Sequence, residues 1–338
     1  MLKSSLISIF NKFLQQELIQ KTLLEQYQNF GQELEVLKNQ DNPYHPIAIE
    51  NHEQGKGVIF VTGRFRSGST LLWNLFRQSD QFTAYYEPFN ERQWFNPVTR
   101  GGRVDDTHRG VKDYWKEYEG LDKLTAHYDE NWISECLFMN HKFDNPQMKA
   151  FIDTLITASK ARPVLQFNRI DFRLPWIKKH YPLANIVHLF RNPRDQWCSI
   201  LTDKELMNKD EVQRTYVDNF YLDVWCNDLC RHYPFLHKSV TPHPYKRFFY
   251  LWKLSYLFGL KYACVNVAYE DLVKDPTAIV KGLGEHIGAG PDLHEKAQAL
   301  ISVTSIDAWR KYAEAEWFIE KEKQCEDVLN AFLNTQPV

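Results

Sequence analysis

A loop rich in glycine and hydroxyl residues gives the first indication of chemistry. Gly63 and Gly68 follow an apolar run at Val58–Val61, and Ser69 and Thr70 open a helical pattern. A turn of this kind directs backbone N–H groups and the positive end of a helix toward an anion. In nucleoside triphosphatases the corresponding loop has lysine at the position that Ser69 occupies here. The loop therefore predicts a nucleotide site, but not a site for a magnesium-bound triphosphate.

Further polar side chains follow the other short apolar runs of the chain. The first run leads to Arg64, Arg66, Ser67, Ser69 and Thr70, the second to Glu87, the third to Arg169, the fourth to Arg191 and Ser199, and the fifth to Tyr269. Several arginines and one carboxylate suit the transfer of an anionic group to an acceptor that loses a proton.

The elements that must position these residues alternate along the chain. The predicted strands are Val58–Val61, Thr83–Tyr86, Val164–Phe167, Ile186–Phe190 and Ala263–Val267, and the predicted helices cover 69–79, 146–160, 173–180, 193–206, 245–259 and 275–287. This alternation is typical of an α/β fold, here a P-loop-like parallel sheet flanked by helices. In such sheets a ligand binds beyond the carboxyl ends of the strands, so the polar residues are expected at one edge.

The composition is that of an ordinary globular protein. The 338 residues are 43% apolar and 25% charged, and the net charge of −2 predicts no attraction to nucleic acid or to an anionic membrane. No run approaches the roughly 20 apolar residues of a membrane-spanning helix. No secretory cleavage site follows the N-terminus, and a cytoplasmic protein is predicted. The aromatic content of 14% suits a ring-stacking pocket or, as the favoured interpretation, a bulky core.

The six cysteines show no disulfide framework, which indicates a reducing compartment. Cys226, Cys230 and His232 are close enough in sequence to raise the question of zinc. No second pair of ligands with matching spacing accompanies them. We therefore interpret these residues as small helix-packing side chains and predict no metal.

Two segments lie outside the alternating pattern. Residues 1–45 carry a heptad-like seam interrupted by Gln16 and Gln20, followed by a linker that ends the helix. This amphipathic helix either packs on its own domain or forms a homodimer or partner contact. Residues 90–145 have no clean period and are interpreted as an insertion or lid on the acceptor side of an α/β domain that spans 55–338. Its candidate acceptor-stacking or polar residues are Trp94, Arg100, Arg103, His108, Trp115, Tyr118 and Trp132.

Three motifs together resemble those of the PAPS-dependent sulfotransferases. The segment Arg66–Thr70 (RSGST) is similar to their 5′-phosphosulfate loop. The segment Leu189–Arg194 (LFRNPR), with Ser199 further on, is similar to their 3′-phosphate segment, and Val267–Val273 (VAYEDLV) resembles a late strand-end segment of the family. Glu87 stands where bacterial and tyrosylprotein-type members carry a carboxylate base. In the loop, Phe65 stands where related chains usually have proline.

The resemblance implies a role for each matching residue. Glu87 would be the base, Arg66 would stabilise the departing phosphate, and Arg169 stands where the family often has a second cation. The donor PAPS (3′-phosphoadenosine 5′-phosphosulfate) would be bound by Arg66, Ser67, Gly68, Ser69, Thr70, Arg191, Ser199, Tyr269 and Ser305. The implied reaction is in-line transfer of a sulfuryl group without a metal.

Two other functions remain open from the sequence alone. A phosphotransferase related to P-loop kinases would need magnesium and usually the loop lysine. A non-catalytic nucleotide-binding protein would not need both Arg66 and Glu87. For the acceptor, the sequence favours a hydroxyl or amine of a small molecule, a lipid or a glycan.

Overall fold

The computed structural model describes residues 57–101, 111–301 and 306–334. The predicted N-terminal helix and linker at 1–45 and the predicted donor residue Ser305 lie outside these ranges, as do Arg103 and His108.

A parallel sheet forms the centre of the described structure, as predicted. Its strands are β1 (Ile59–Thr62), β2 (Phe82–Tyr86), β3 (Arg162–Phe167), β4 (Asn185–Phe190) and β5 (Val265–Ala268), in the order β2-β3-β1-β4-β5. All four neighbouring pairs are parallel. Thr62, the last residue of β1, pairs with Phe167, the last residue of β3, and with His188, two residues before the end of β4, so the carboxyl ends lie at one edge. Each predicted strand is present within two residues of its predicted bounds.

Helices connect and flank the strands. They are α1 (Ser69–Arg77), α2 (Pro146–Ala158), α3 (Leu174–His180), α4 (Pro193–Ile200), α5 (Val212–Thr215), α6 (Leu222–Leu229), α7 (Pro244–Tyr262), α8 (Tyr269–Lys274), α9 (Pro276–Ile287), α10 (Asp292–Leu300) and α11 (Ala315–Asn334). Proline at the first position of α2, α4, α7 and α9 suits a helix start, because its missing N–H would have no intrahelical partner.

One predicted helix was too long, and one short helix was not predicted. The helix predicted at 193–206 ends at Ile200, because Asp203 accepts hydrogen bonds from the N–H groups of Glu205 and Leu206 and starts a separate turn. The helix predicted at 275–287 is preceded by α8. Asp275 ends α8 and caps α9 by accepting a hydrogen bond from the N–H of Ala278 at 3.0 Å.

The segment predicted as an insertion or lid contributes to the core. Outside residues 102–110 it consists of turns and short 3₁₀ helices, and it ends at Asn145, the N-cap of α2. Trp94, Tyr118 and Trp132 are each no more than 4% exposed. They pack against aromatic side chains of β2, of the residues that follow it and of α2, so these three residues are core side chains rather than open stacking surfaces.

Within the described ranges, none of the helices combines the length and the apolar character that crossing a bilayer requires. The six cysteines all carry free thiols. Cys226 is buried in α6, and the thiol of Cys230 donates to the backbone oxygen of Asn227.

Candidate active site at the carboxyl edge of the sheet

The loop between β1 and α1 depends on two glycines. A Cβ added at Gly63 would lie 2.6 Å from the backbone oxygen of Leu189. Gly68 has a φ of 97°, and a Cβ added there would lie 2.4 Å from the ring of Tyr269. The left-handed backbone and the close contact both require glycine at position 68. The loop is therefore held against β4 and the start of α8.

The N-terminus of α1 has the properties of an anion site. Its N-cap is Gly68, which has no side chain that could cap the helix. The first N–H groups of a helix have no intrahelical partner, and an anion can accept hydrogen bonds from them. Directly before the helix, Ser67 Oγ is buried and has no hydrogen-bond partner among the described residues. Buried hydroxyls are normally satisfied, so this atom fits a site that a polar ligand completes.

Arg66 joins the loop to the predicted 3′-phosphate segment. Its Nε donates to Ser199 Oγ at 3.0 Å, and its backbone oxygen accepts from Nη1 of Arg191 at 3.2 Å. The Arg191 guanidinium also lies 4.7 Å above the ring of Tyr269, while its Nε has no partner among the described residues. Arg66 has a φ of 66°, which costs an L-residue about 1–2 kcal/mol. Strained residues of this kind are concentrated at functional sites.

Glu87 lies at the end of β2 in a buried polar network. Its side chain is 4% exposed, and its backbone has a φ of 38°. Glu87 Oε2 accepts from Nη1 of Arg169 at 2.9 Å and from Nδ2 of Asn90 at 3.0 Å, and Oε1 accepts from Nδ2 of Asn168. Arg169 uses Nη2 to bind Glu91 Oε2 at 2.7 Å. One buried guanidinium thus serves two carboxylates.

Opposing effects act on the two members of this buried ion pair. Burial raises the pKa of Glu87, and the opposing effects of Arg169 and Asn90 do not cancel the rise. Burial by itself lowers the pKa of Arg169, but the charges of Glu87 and Glu91 outweigh it and the net shift is upward. The upward shifts thus favour the charged form of Arg169 but disfavour the charged form of Glu87. The two groups differ because Arg169 has two carboxylate partners, whereas Glu87 shares its one cation with Glu91.

Hydrogen bonds connect the loop with Glu87. Ser69 Oγ donates to Asn168 Oδ1 at 2.8 Å, and the amide of Asn168 donates to the carboxylate. Thr70 Oγ1 and the hydroxyl of Tyr86 share a hydrogen bond of 3.1 Å, and that hydroxyl also hydrogen-bonds Glu87. Ser69 and Thr70 are thus each connected to the Glu87 carboxylate through one intervening side chain, Asn168 for Ser69 and Tyr86 for Thr70.

The other loop arginine, Arg64, is held by a buried ion pair and an aromatic ring. Arg64 is 8% exposed, and its Nη1 lies 3.1 Å from Oδ2 of the buried Asp171. Its guanidinium stacks on Trp225 at 4.8 Å. Phe65, in the position where related loops usually have proline, stacks on Trp225 at 5.4 Å and on Tyr221 at 6.1 Å. Trp225 of α6 and Tyr221, the N-cap of that helix, therefore support the loop.

The C-terminal residues are fastened to α4. Asp195 accepts hydrogen bonds from the N–H groups of Asp307 at 2.9 Å and Trp309 at 3.0 Å. Arg194 forms a two-pronged ion pair with Glu322, at 2.8 Å through Nε and 2.6 Å through Nη2. Of the two arginines in the LFRNPR motif, Arg194 therefore holds α11, and Arg191 belongs to the edge of the sheet.

An unbroken series of contacts joins all of the predicted site residues that the structure describes. They are Arg66, Ser67, Gly68, Ser69, Thr70, Glu87, Arg169, Arg191, Ser199 and Tyr269. Sequence reasoning missed Asn168, Asn90 and Tyr86 as partners of Glu87. Asn168 directly follows the third predicted strand, so the expectation that ligand-binding residues follow the strands could have identified it. Tyr221 and Trp225 gave no local signal.

Residues 58–291, well over half of the chain, match the sequence profile described as Sulfotransferase family. The chain belongs to the sulfotransferase family. A comparison with curated protein sequences gave no match. The sulfotransferase motifs discussed above, from the loop to the segment around Tyr269, all fall inside the matched range.

Three solved sulfotransferase structures are similar to this chain at low identity. Sulfotransferase STF9 from Mycobacterium avium shares 11% identity, with 92% of this chain and 81% of that chain covered and a TM-score of 0.41. A sulfotransferase from Alicyclobacillus acidocaldarius shares 14%, with 82% and 96% covered and a TM-score of 0.35. The sulfotransferase domain of the Synechococcus PCC 7002 olefin synthase shares 15%, with 83% and 98% covered and a TM-score of 0.33.

Proposed function

We propose that this sulfotransferase-family protein transfers a sulfuryl group from PAPS to a hydroxyl or amine of a small-molecule, lipid or glycan acceptor. The observation that supports this most is the hydrogen bond between Arg66 and Ser199. It connects a loop suited to the 5′ end of the donor with a segment suited to its 3′-phosphate. A donor that carries phosphate at both ends would contact both segments.

The residues at the edge of the sheet fit such a donor. The N-terminus of α1, with Ser69 and Thr70, would hold the 5′-phosphate. Arg191, which keeps Nε without a partner among the described residues, would bind the 3′-phosphate together with Ser199. The bound donor supplies an activated sulfuryl group with a phosphate as its leaving group. Arg66 is the cation suited to stabilising the negative charge that develops there.

Glu87 is the proposed base for the acceptor. Its burial raises its pKa, which makes the ionised carboxylate a stronger proton acceptor. Arg169 and Asn90 keep the ionised form accessible by hydrogen-bonding one of its oxygens. Arg169 would thus act on the reaction as the second cation, mainly by holding the base ionised and in place.

The proposal includes a metal-independent reaction in a reducing compartment. Ser69 occupies the position of the kinase-type lysine, and its hydroxyl is engaged with Asn168. Transfer that continues in the presence of a metal chelator would distinguish sulfuryl transfer from phosphoryl transfer by a P-loop enzyme.

The free thiols of all six cysteines support the predicted cytoplasmic location.

A transfer assay with radiolabelled PAPS and pools of candidate acceptors tests the function. We expect wild-type protein to label an acceptor. The Glu87→Gln variant should bind PAP (adenosine 3′,5′-bisphosphate), the product that the donor leaves behind, without labelling any acceptor. Asp113→Asn, a change in an exposed partner of Arg77, is the matched control and should keep turnover. If the wild type binds the donor but labels no acceptor pool, the protein is the non-catalytic nucleotide-binding alternative. If the wild type does not bind PAP, the proposed PAP-dependent function is refuted.

A further inference from the structure

Asn168 lies between the loop and the proposed base. Its Oδ1 accepts from Ser69 Oγ at 2.8 Å and from Nε2 of Gln166 at 2.9 Å, and its Nδ2 donates to Glu87 Oε1. All four side chains are buried, with none more than 4% exposed. Water therefore does not compete effectively for these hydrogen bonds, and each is stronger than it would be at the surface.

The partners of Asn168 fix the orientation of its amide. Oδ1 faces two donors, and Nδ2 faces a carboxylate, which only accepts hydrogen bonds when it is ionised. A flipped amide would place an NH₂ group against the NH₂ of Gln166 and an oxygen against Glu87. Its orientation thus follows from the donor and acceptor chemistry of its neighbours.

Ser69 can give its single hydroxyl proton to only one strong acceptor at a time. Phosphate oxygens are acceptors without protons and lie, in the proposed function, at the N-terminus of α1. When a 5′-phosphate accepts the hydrogen bond of the Ser69 hydroxyl, Asn168 Oδ1 loses one of its two hydrogen-bond donors and keeps only Gln166. In a chain of hydrogen bonds each bond polarises the next, so the bond from Asn168 to Glu87 weakens as a result.

We propose that Asn168 is a positioning residue that couples the donor loop to Glu87, so that donor binding at Ser69 changes the hydrogen bonding of the base. The inference rests on the proposed function. It adds a residue to the reaction and a direction of coupling, because loss of hydrogen-bond donation makes a carboxylate a better proton acceptor. Glu87 is therefore most basic when the donor is in place.

Other groups also act on Glu87 and define what the experiment must separate. Arg169 and Glu91 face it with their charges, the hydroxyl of Tyr86 hydrogen-bonds it, and Tyr118 interacts with it from the segment after β2. The charge of a bound donor raises the pKa of Glu87 through space whether or not Asn168 is present. The contribution of Asn168 is thus the part of the shift that disappears with its side chain.

The test is an NMR titration of full-length protein labelled at the glutamate side-chain carboxyl carbon, with and without saturating PAP. Loss of one signal in Glu87→Gln assigns the resonance. We expect PAP to raise the pKa of Glu87 in the wild type and to raise it less in Asn168→Ala. The matched control is Asn90→Ala, since Asn90 donates to the same carboxylate at 3.0 Å, while within the described ranges its side-chain oxygen accepts from the N–H of Arg92 and not from a loop hydroxyl. That variant should keep the full PAP-induced rise.

Ser69→Ala provides a second variant if Asn168→Ala does not fold. It removes the hydroxyl proton and leaves Asn168 in place, so its PAP-induced rise should also be smaller than that of the wild type. An equal rise in the wild type and in both variants would overturn the inference while leaving the proposed function intact. If PAP does not bind the wild type, the proposed function fails, and this inference fails with it.

Discussion

Arg66 Nε donates a hydrogen bond to Ser199 Oγ at 3.0 Å, although 133 positions separate the two residues in the sequence. The contact is possible because β1 and β4 are parallel neighbours whose carboxyl ends lie side by side, so the loop after β1 meets α4, which follows β4 and carries Ser199 in its last turn. The two segments that resemble the donor-binding motifs of sulfotransferases therefore form one continuous surface.

Replacement of Arg191 should remove discrimination by the 3′-phosphate. Arg191→Met loses a charge-assisted hydrogen bond worth about 1.5–3 kcal/mol, so PAP binding should weaken about 10- to 150-fold. AMP, which lacks the 3′-phosphate, should bind with nearly the same affinity as to the wild type. Calorimetric titration with both nucleotides gives the two ratios. Equal weakening for PAP and AMP would show that Arg191 acts only by supporting the backbone of Arg66.

Ser199→Ala should have a smaller effect of the same kind. It removes one neutral hydroxyl and leaves Arg191 in place, so the loss should be about 1 kcal/mol, or about fivefold in PAP affinity. The same titration measures it. Unchanged affinity for PAP would exclude Ser199 from the donor site.

The two loop arginines should separate stability from binding. Arg64→Met leaves Asp171 buried without its cation and should lower the free energy of unfolding by about 3–5 kcal/mol. Arg66→Met should lower the free energy of unfolding by only about 1 kcal/mol, because its half-buried side chain loses a hydrogen bond to the neutral hydroxyl of Ser199, while PAP binding is strongly weakened. Urea denaturation and PAP titration of both variants check this. Reversal of the two effects would contradict the assigned roles.

Gly68→Ala should disrupt the loop for two reasons that a control can separate. The new Cβ would meet the ring of Tyr269, and the φ of 97° is unfavourable for an L-residue. Gly120 has a φ of 79° with nothing within 4 Å of an added Cβ, so Gly120→Ala reports the backbone cost alone, about 1–2 kcal/mol. Denaturation should show a larger loss for Gly68→Ala, together with lost PAP binding. Equal losses and retained binding would refute the contact with Tyr269.

The raised pKa of Glu87 predicts a specific pH dependence of stability. A carboxyl group whose pKa is higher in the folded state binds its proton more tightly there, so its stabilising contribution is present below the unfolded-state pKa. That contribution is lost as the pH rises from the ordinary glutamate value through the raised one. The unfolding free energy of the wild type minus that of Glu87→Gln should therefore decrease as the pH rises through this window. A difference that grows with pH would mean that the pKa is lowered.

Much of the fold could be predicted from the sequence because buried parallel strands are short apolar runs. Ile59 to Val61 are fully buried, and this part of β1 was predicted together with the loop that follows it. The residues at the strand ends could be named in advance for the same reason, since parallel strands bring their carboxyl ends to one edge.

Side-chain partnerships could not be predicted. Arg64 and Arg66 are two positions apart with the same side chain, yet Arg64 is buried against Asp171 and Arg66 reaches Ser199. The aromatic residues Trp94 and Tyr118 were predicted to be available to an acceptor, but they fill the core. Only the three-dimensional packing decides which face of such a segment is buried, because it has no regular period that marks one.

We expect the carboxyl edge of the sheet to bind a nucleotide that carries phosphates at both ends. The decisive experiment is a calorimetric titration of wild-type protein with PAP in the presence of a metal chelator. PAP should bind saturably at a single site and much more tightly than AMP under the same conditions. Absence of PAP binding, or equal affinities for PAP and AMP, would show that the edge of the sheet is not such a site.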